Sequence, residues 1–593
     1  MSKQNRVFAK VMGKLFSSRS FRFLLLWLVP FAVLSSSFFT VLLNSLNYEE
    51  VFPTELIFPL VIHLITALFI ALIIYFIPKP RMYSSKVVAV FLLGLVMVGY
   101  NDRLNIVAGL YRAILPSITS ASSDMPIISG VFIITLFAVA IFIGTRIDKL
   151  QKRHTSIGSH NLILAVLVFS AVIFVGQGVR FGIMLPSIIK ESRAQSPVLN
   201  KTATDKLTTK PDIYYIVLDR YASSNVLKNQ FGYDNSQITN YLNKNDFYIN
   251  QDAYSNYPLT SMSISSTLNA EYTKQESAEY KDNSVQSRAL YHNLIRESAV
   301  VKALKQDGYK YYSIGSTYGA SYKAPLADVD YGHSNSISIF GRLSKNLRGI
   351  EVGQFNQSPY YQFFKVNIGW WPLKTAELDT ISYDRMQLDT LNQLASQKSS
   401  GGRFIFAHIL LPHDPFVFNA DGSTSGYQGT DNWGKTIKSK YLDQLKFTNS
   451  QIMQTIDNIK QNSGGKAVII LNADEGAYPQ DMNNTNMTPV DSSNALRDTD
   501  MSNWPDDWLK MKFGILQAVY MPGISNSELA NNLSSVNMFR VVLNNYLGYD
   551  LNYLPDCKYS LYKGDKHEYN YVDVTAKLLG TASPECKNYE QVN

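Results

Sequence analysis

Three apolar runs in this sequence end in side chains that could hold a metal ion or move a proton. Ile216-Val217-Leu218 runs into Asp219, and Val468-Ile469-Ile470-Leu471 leads to Asp474 and Glu475. Phe404-Ile405-Phe406-Ala407 runs into His408 and on to Pro412-His413-Asp414-Pro415. A fourth stretch, Tyr257-Pro258-Leu259, leads to Thr260 at the head of a helical pattern that continues to Asn269. Carboxylate oxygens suit hard divalent cations such as Mg2+, Mn2+ or Ca2+. A threonine hydroxyl beside such an ion becomes a usable nucleophile, and a helix N-terminus favours both the alkoxide charge and an arriving phosphate. Taken singly, each group has an ordinary alternative. A strand-end Asp often caps a loop, a Thr before a helix is most often its N-cap, and His408 on a strand faces either the site or the core, with the core or a supporting position preferred. The order of the groups along the chain carries the reading.

Elements that could bring these groups together follow from periodicity. A strand is expected at Ile213–Leu218, followed by helices at about 223–230 and 236–246. Further strands are expected at Tyr311–Ile314 after a helix near 288–306, at Phe404–Leu410 after a helix near 382–397, and at Val468–Leu471 after a helix near 440–461. This alternation predicts a mostly parallel sheet flanked by helices, in which chemistry gathers at the carboxyl ends of the strands. No repeat, dinucleotide fingerprint or phosphate-binding loop signature is found.

The rest of the chain reads differently. Of 593 residues, 46% are hydrophobic and only 17% charged, and the long uncharged runs fall before about residue 190. Five spans are expected at about 22–44, 56–78, 84–101, 126–145 and 161–180, each close to the roughly 20 residues that cross a hydrocarbon core. Basic clusters (Lys3 to Arg22, Lys79 to Lys86, Arg146 to Arg153) flank these runs on one side and place the N-terminus in the cytoplasm. The expected organisation is a transmembrane domain over 1–185, a juxtamembrane connector over 186–210 and an extracytoplasmic domain over 211–593. The net charge of +8 is not gathered into a stripe, which argues against nucleic acid. The two cysteines, Cys557 and Cys586, both fall in the external part, where an oxidising compartment permits a disulfide; two free thiols are the alternative.

The segments Pro211–Asp219, Asn256–Thr260 with its helix, Pro412–Pro415 and Ala473–Gly476 together resemble the alkaline phosphatase/sulfatase superfamily. The membrane-anchored branch, with lipoteichoic acid synthases and phosphoethanolamine or phosphoglycerol transferases, looks most similar. The resemblance implies a fold of five transmembrane helices followed by an extracytoplasmic α/β sulfatase-like domain, in the plasma membrane of a bacterium. It implies one divalent metal on Asp219, Thr260, Asp474 and Glu475, with Mn2+ or Mg2+ favoured over Zn2+ or Ca2+. Thr260 is implied as nucleophile, and His413 as the group that binds phosphoryl oxygens or protonates the leaving group. Arg220 and His408 are implied as supporting residues. Glu475 departs from the pattern, because the transferases usually have His there, and Arg220 stands where sulfatases have a second Asp. Thr260–Ile264 lacks the cysteine, proline and arginine of the sulfatase signature, which speaks against sulfate-ester hydrolysis. The implied activity is a phosphotransferase that moves a phospho-headgroup from a phospholipid donor to a glycan or glycolipid acceptor at the membrane. Water as acceptor, giving a phosphodiesterase, and a metal-free binding protein stay open beside it.

Overall fold

The computed structural model describes residues 196–201, 210–273, 286–316, 318–332, 376–424, 436–479, 501–563, 569–581 and 583–589, with isolated positions between 27 and 183. The five expected spans and most of the connector lie outside the described residues. Among those described, no helix is long and apolar enough to cross a membrane. The described residues from Ser196 onward belong, apart from Ala376, to one of two compact units into which the chain divides, and that unit is described by itself.

In chain order its elements are β1 (Ile213–Leu218), α1 (Ser224–Phe231), α2 (Ser236–Lys244), β2 (Tyr248–Ile249), α3 (Thr260–Asn269), α4 (Gln286–Arg296), α5 (Ala299–Gln306), β3 (Lys310–Ile314), α6 (Gly319–Tyr322), β4 (Val329–Asp330), α7 (Ala376–Ala395), β5 (Arg403–Ile409), α8 (Ile437–Ser463), β6 (Val468–Asn472), α9 (Asp506–Phe513), β7 (Gln517–Tyr520), α10 (Asn526–Asn532), α11 (Met538–Leu547), β8 (Tyr559–Lys563), β9 (Tyr569–Asp573) and α12 (Thr575–Leu579). Seven strands form one sheet in the order β2-β7-β6-β1-β5-β3-β4. β1 pairs parallel with both β5 and β6, and β3 pairs parallel with β5 and β4, whereas β7 runs antiparallel to β6 and β2. The mostly parallel sheet expected from β–α alternation is therefore present.

β1 is buried at every position, as a strand covered on both faces must be. Its side chains alternate between two core layers. Tyr214, Ile216 and Leu218 pack in one layer with Leu391 of α7 and Leu445 and Ile452 of α8. Ile213, Tyr215 and Val217 pack in the other with Ile264 and Leu268 of α3, Val300 of α5 and Phe539 of α11. Each such large apolar side chain contributes roughly 1.5–3 kcal/mol on burial.

The single helix expected at 288–306 is two. Ser298 takes an extended conformation (φ −62°, ψ 146°), and its hydroxyl accepts the Val301 N–H, capping α5 where α4 has stopped. α8 begins on a Thr436 cap and ends at Gly464, whose φ of +60° is the left-handed turn that favours glycine. At the amino end of the sheet, Asp212 is buried and accepts from both Nε (2.9 Å) and Nη2 (2.7 Å) of Arg403, so one ion pair ties β1 to β5.

β8 and β9 form a separate antiparallel hairpin. Beside it Cys557 and Cys586 are joined in a disulfide. Tyr257, Tyr272, Tyr559 and Tyr571 pack together there, with ring centroids between 5.2 and 6.4 Å apart.

Candidate metal centre and active site

The register of the central strands sets the site. Val217 lies opposite His408, and Leu218 opposite Ile409, in the parallel β1–β5 pair. Side chains two apart on a strand share a face, so Asp219 follows Tyr215 and Val217 onto the α3 side, and His408 follows Phe404 and Phe406 onto the same side. Asp219 continues the ladder, donating its N–H to Ile409 O at 3.0 Å. β6 lies on the other side of β1 and carries the chain to Asp474 at the same sheet edge. One ligand atom from each of Asp219, His408 and Asp474 lies within 4.8 Å of the other two.

All three side chains are buried, and Asp219 Oδ1, Asp474 Oδ2 and His408 Nε2 have no hydrogen-bond partner. Burial without a partner is costly for polar atoms, so this arrangement fits a divalent cation. The electrostatics agree. Burial, then Asp219 and Glu475, push the Asp474 carboxyl well above the usual range, only partly offset by the Thr260 hydrogen bond and Lys512. Burial also pushes Asp219 up, but His413, His408 and Arg220 outweigh it and lower it to about 2. Two carboxylates this close call for a proton or a cation between them.

Thr260 is half-buried at the first position inside α3; Leu259 occupies the cap position, and the N–H groups of Met262 and Ser263 bond its carbonyl. The threonine hydroxyl is thus not spent on capping, and it lies near enough to Asp474 to lower that carboxyl's pKa.

Glu475, expected beside the metal, has a different set of neighbours. Its Oε1 is 3.0 Å from Arg220 Nε and 2.8 Å from Lys512 Nζ. Two buried cations draw this carboxylate away, and it is not among the groups that converge with Asp219. Arg220 has φ +58°, a left-handed conformation that costs a non-glycine residue about 1–3 kcal/mol and clusters at functional sites. That turn aims its backbone N–H at Asp474 Oδ1 (3.3 Å) and its Nη1 at Asp414 Oδ1 (3.2 Å). The ring of Tyr478 lies under both cations, 4.5 Å from the Arg220 guanidinium carbon and 3.8 Å from Lys512 Nζ.

His413 Nδ1 is 2.7 Å from Asp414 Oδ1. Burial and Arg220 lower its pKa, but Asp219 and Asp414 outweigh them and raise it above its ordinary value, which favours the imidazolium. With Arg220, Asp414, Phe416, Tyr441 and Tyr478, His413 lines a small cleft. Buried Gln444 of α8 holds this loop, donating to His413 O (2.7 Å) and accepting from Val417 N (2.8 Å). Tyr441, one turn earlier, donates to Arg220 O at 2.8 Å.

Lys512, Gln444 and Ser321 were missed as contributors to the site. Ser321 Oγ is 2.8 Å from His408 Nδ1. The alternation of Phe404, Phe406 and His408 was the available signal for the facing of His408. Nothing local marks Lys512 or Gln444.

None of the curated proteins compared with it matches this chain. Among solved structures, it is similar to the C-terminal periplasmic domain of EcEptC from Escherichia coli in complex with Zn, at 12% identity, covering 64% of this chain and 96% of that one, with a TM-score of 0.35. It is similar to the lipooligosaccharide phosphoethanolamine transferase EptA, an integral membrane protein of Neisseria meningitidis, at 12% identity, covering 89% and 96%, with a TM-score of 0.32. A Bacteroides thetaiotaomicron protein, BT33494S-sulf, is similar at 13% identity over 62% of this chain and 85% of that one, with a TM-score of 0.34. Residues 211–510, half of the chain, match the family model described as Sulfatase. The chain belongs to the sulfatase family of the alkaline phosphatase superfamily.

Proposed function

We propose that this protein is a metal-dependent phosphotransferase, anchored by five spans within residues 1–185 and joined through 186–210 to an extracytoplasmic domain over 211–593. The donor is a phospholipid and the acceptor a hydroxyl of a cell-envelope glycan or glycolipid. The observation that carries the reading is Thr260, whose hydroxyl is free of capping duty at a helix N-terminus beside the Asp219 and Asp474 carboxyls.

Asp219 and Asp474 would hold the divalent cation, which supplies positive charge that eases loss of a nearby hydroxyl proton and offsets charge on phosphoryl oxygens. Thr260 Oγ attacks the phosphorus, its proton directed at Asp474. The new Oγ–P bond replaces the bond to the lipid oxygen. His413, held toward its protonated form, gives that oxygen its proton. In the second half, an acceptor hydroxyl attacks the phosphorus and gives its proton to His413, and the Thr260 Oγ–P bond breaks as Oγ takes back the proton directed to Asp474. Arg220 and His413 line the cleft beside the site, where their positive charge favours a phosphoryl group.

The test is peptide mass spectrometry of the fragment containing Thr260 in protein supplied with lipid donor and divalent metal but no acceptor. An added phospho-headgroup on Thr260 is expected. In Thr260→Ala, transfer should fall by about a thousandfold or more while the folded protein persists. An active Thr260→Ala protein ends this reading.

A further inference from the structure

The divalent-cation reading above leaves one ligand position to assign, because Glu475 is occupied by Arg220 and Lys512. We propose that His408 Nε2, projecting from β5, is the third protein ligand beside Asp219 and Asp474, and that Glu475 holds Arg220 and Lys512 rather than the metal. The inference rests on the reading that a cation sits in this site, and goes beyond it by naming the ligand.

The imidazole is set up for that role. Its Nδ1 lies 2.8 Å from Ser321 Oγ and 3.2 Å from Ser316 Oγ. Ser321 Oγ can give its own proton to Tyr318 O (3.4 Å), which leaves it free to accept from Nδ1–H. In one tautomer, without a cation, Nε2–H is directed at Asp219 Oδ2; in the other, a proton on Nδ1 leaves a lone pair on Nε2. That lone pair stands 3.4 Å from Asp219 Oδ2, with no hydrogen-bond partner and no exposure to water. A lone pair facing a carboxylate repels it; a cation bound by both turns the same arrangement into attraction. Metal-bound histidines generally fix their tautomer by donating the other ring N–H, and the serine pair serves that purpose here. The ring is held further by Tyr318, edge-on at 6.0 Å, and by Gln387, which donates to the His408 carbonyl at 2.6 Å.

Glu475 contrasts with this. Its Oε1 is shared by two cations inside the protein, so the charge it would bring to a metal is already balanced. Its Oε2 is buried without a hydrogen-bond partner, which makes Glu475→Gln the discriminating variant. Exchanging a carboxylate for an imidazole in the donor set also moves the preferred ion toward Zn2+ and away from Mg2+ and Ca2+.

The experiment uses the full-length protein in detergent, stripped with chelator and titrated with Zn2+ alone. The readouts are bound metal per folded chain and, for Mn2+-loaded samples, imidazole nitrogen coupling by pulsed electron paramagnetic resonance. Wild type should bind one ion. His408→Asn should weaken binding by more than the roughly 10–100-fold that loss of an outer partner costs, and Ser321→Ala by about that 10–100-fold. Glu475→Gln should bind as wild type does. The nitrogen coupling should persist in Glu475→Gln and in His413→Gln and vanish in His408→Asn. If His408→Asn does not fold, the coupling in wild type and His413→Gln decides: its presence supports the assignment and its absence overturns it. Unchanged binding in His408→Asn, or loss of binding in Glu475→Gln alone, overturns the assignment while leaving the metal in place. A wild-type chain that takes up no ion overturns both this assignment and the metal-dependent reading.

Discussion

At Asp328, on the rim of the sheet, the pH dependence of one group can be worked out with its sign. Burial pushes the carboxyl up, but the Tyr311 N–H at 2.8 Å and Lys305 at 3.0 Å outweigh it and hold the pKa below the ordinary 3.8. Because the folded value is depressed, its contribution is present above the unfolded pKa and is lost as pH falls through the folded one. Asp328→Asn should therefore flatten the stability profile only below about pH 4, by a few tenths of a kcal/mol for so exposed a pair, as denaturant titrations between pH 3 and 6 would show. In the site, the meeting of Asp219 and Asp474 at one sheet edge was legible because strand-end position is a local property. The surroundings of Glu475 and His408 were not, because they are set by residues far along the chain. Arg220 precedes Glu475 by 255 positions, and Ser321 precedes His408 by 87. The alternation of His408 with two buried phenylalanines held its facing all the same.

The loop before α3 shows how an element inherits its position. Asn256 is fully buried; its amide donates to Cys557 O (2.7 Å) and Asp556 Oδ1 (3.1 Å), and its oxygen accepts from Val536 N (2.8 Å). Ser255 N donates to Phe513 O at 2.8 Å. Asn256→Ala would leave buried backbone groups unpaired, at about 1–3 kcal/mol each. Under the proposed function it should also lower turnover while leaving metal affinity near wild type, since it moves Thr260 and not Asp219 or His408. Thermal unfolding, metal titration and transfer assays on the same preparation check the three effects. Periodicity found the long strands and helices of the sheet. It did not foresee the break at Ser298, where one serine side chain outweighs a continuous helical pattern, nor the β8–β9 hairpin. Two-residue strands such as β2 and β4 carry no pattern to detect, and β7, of four residues, was not expected either.

At the scale of the molecule, the topology proposed from charge placement has a direct check. In cells with an intact cytoplasmic membrane, an impermeant thiol reagent should label Thr204→Cys and leave Met82→Cys unlabelled until the membrane is opened; the reverse pattern would invert the orientation. The sheet itself is tied at the end opposite the site by buried Asp212 and partly buried Arg403, and Arg403→Ala should cost about 1–3 kcal/mol with little change in metal binding. The partners of Asn256 lie 280 to 301 residues further along the chain. A ribosome delivers Thr260 long before it delivers Val536 or Cys557, so the loop that carries the threonine cannot reach its final place until synthesis is nearly done. Under the proposed function, the nascent protein would stay idle until its C-terminal segment is made, and completion of the chain would act as its clock.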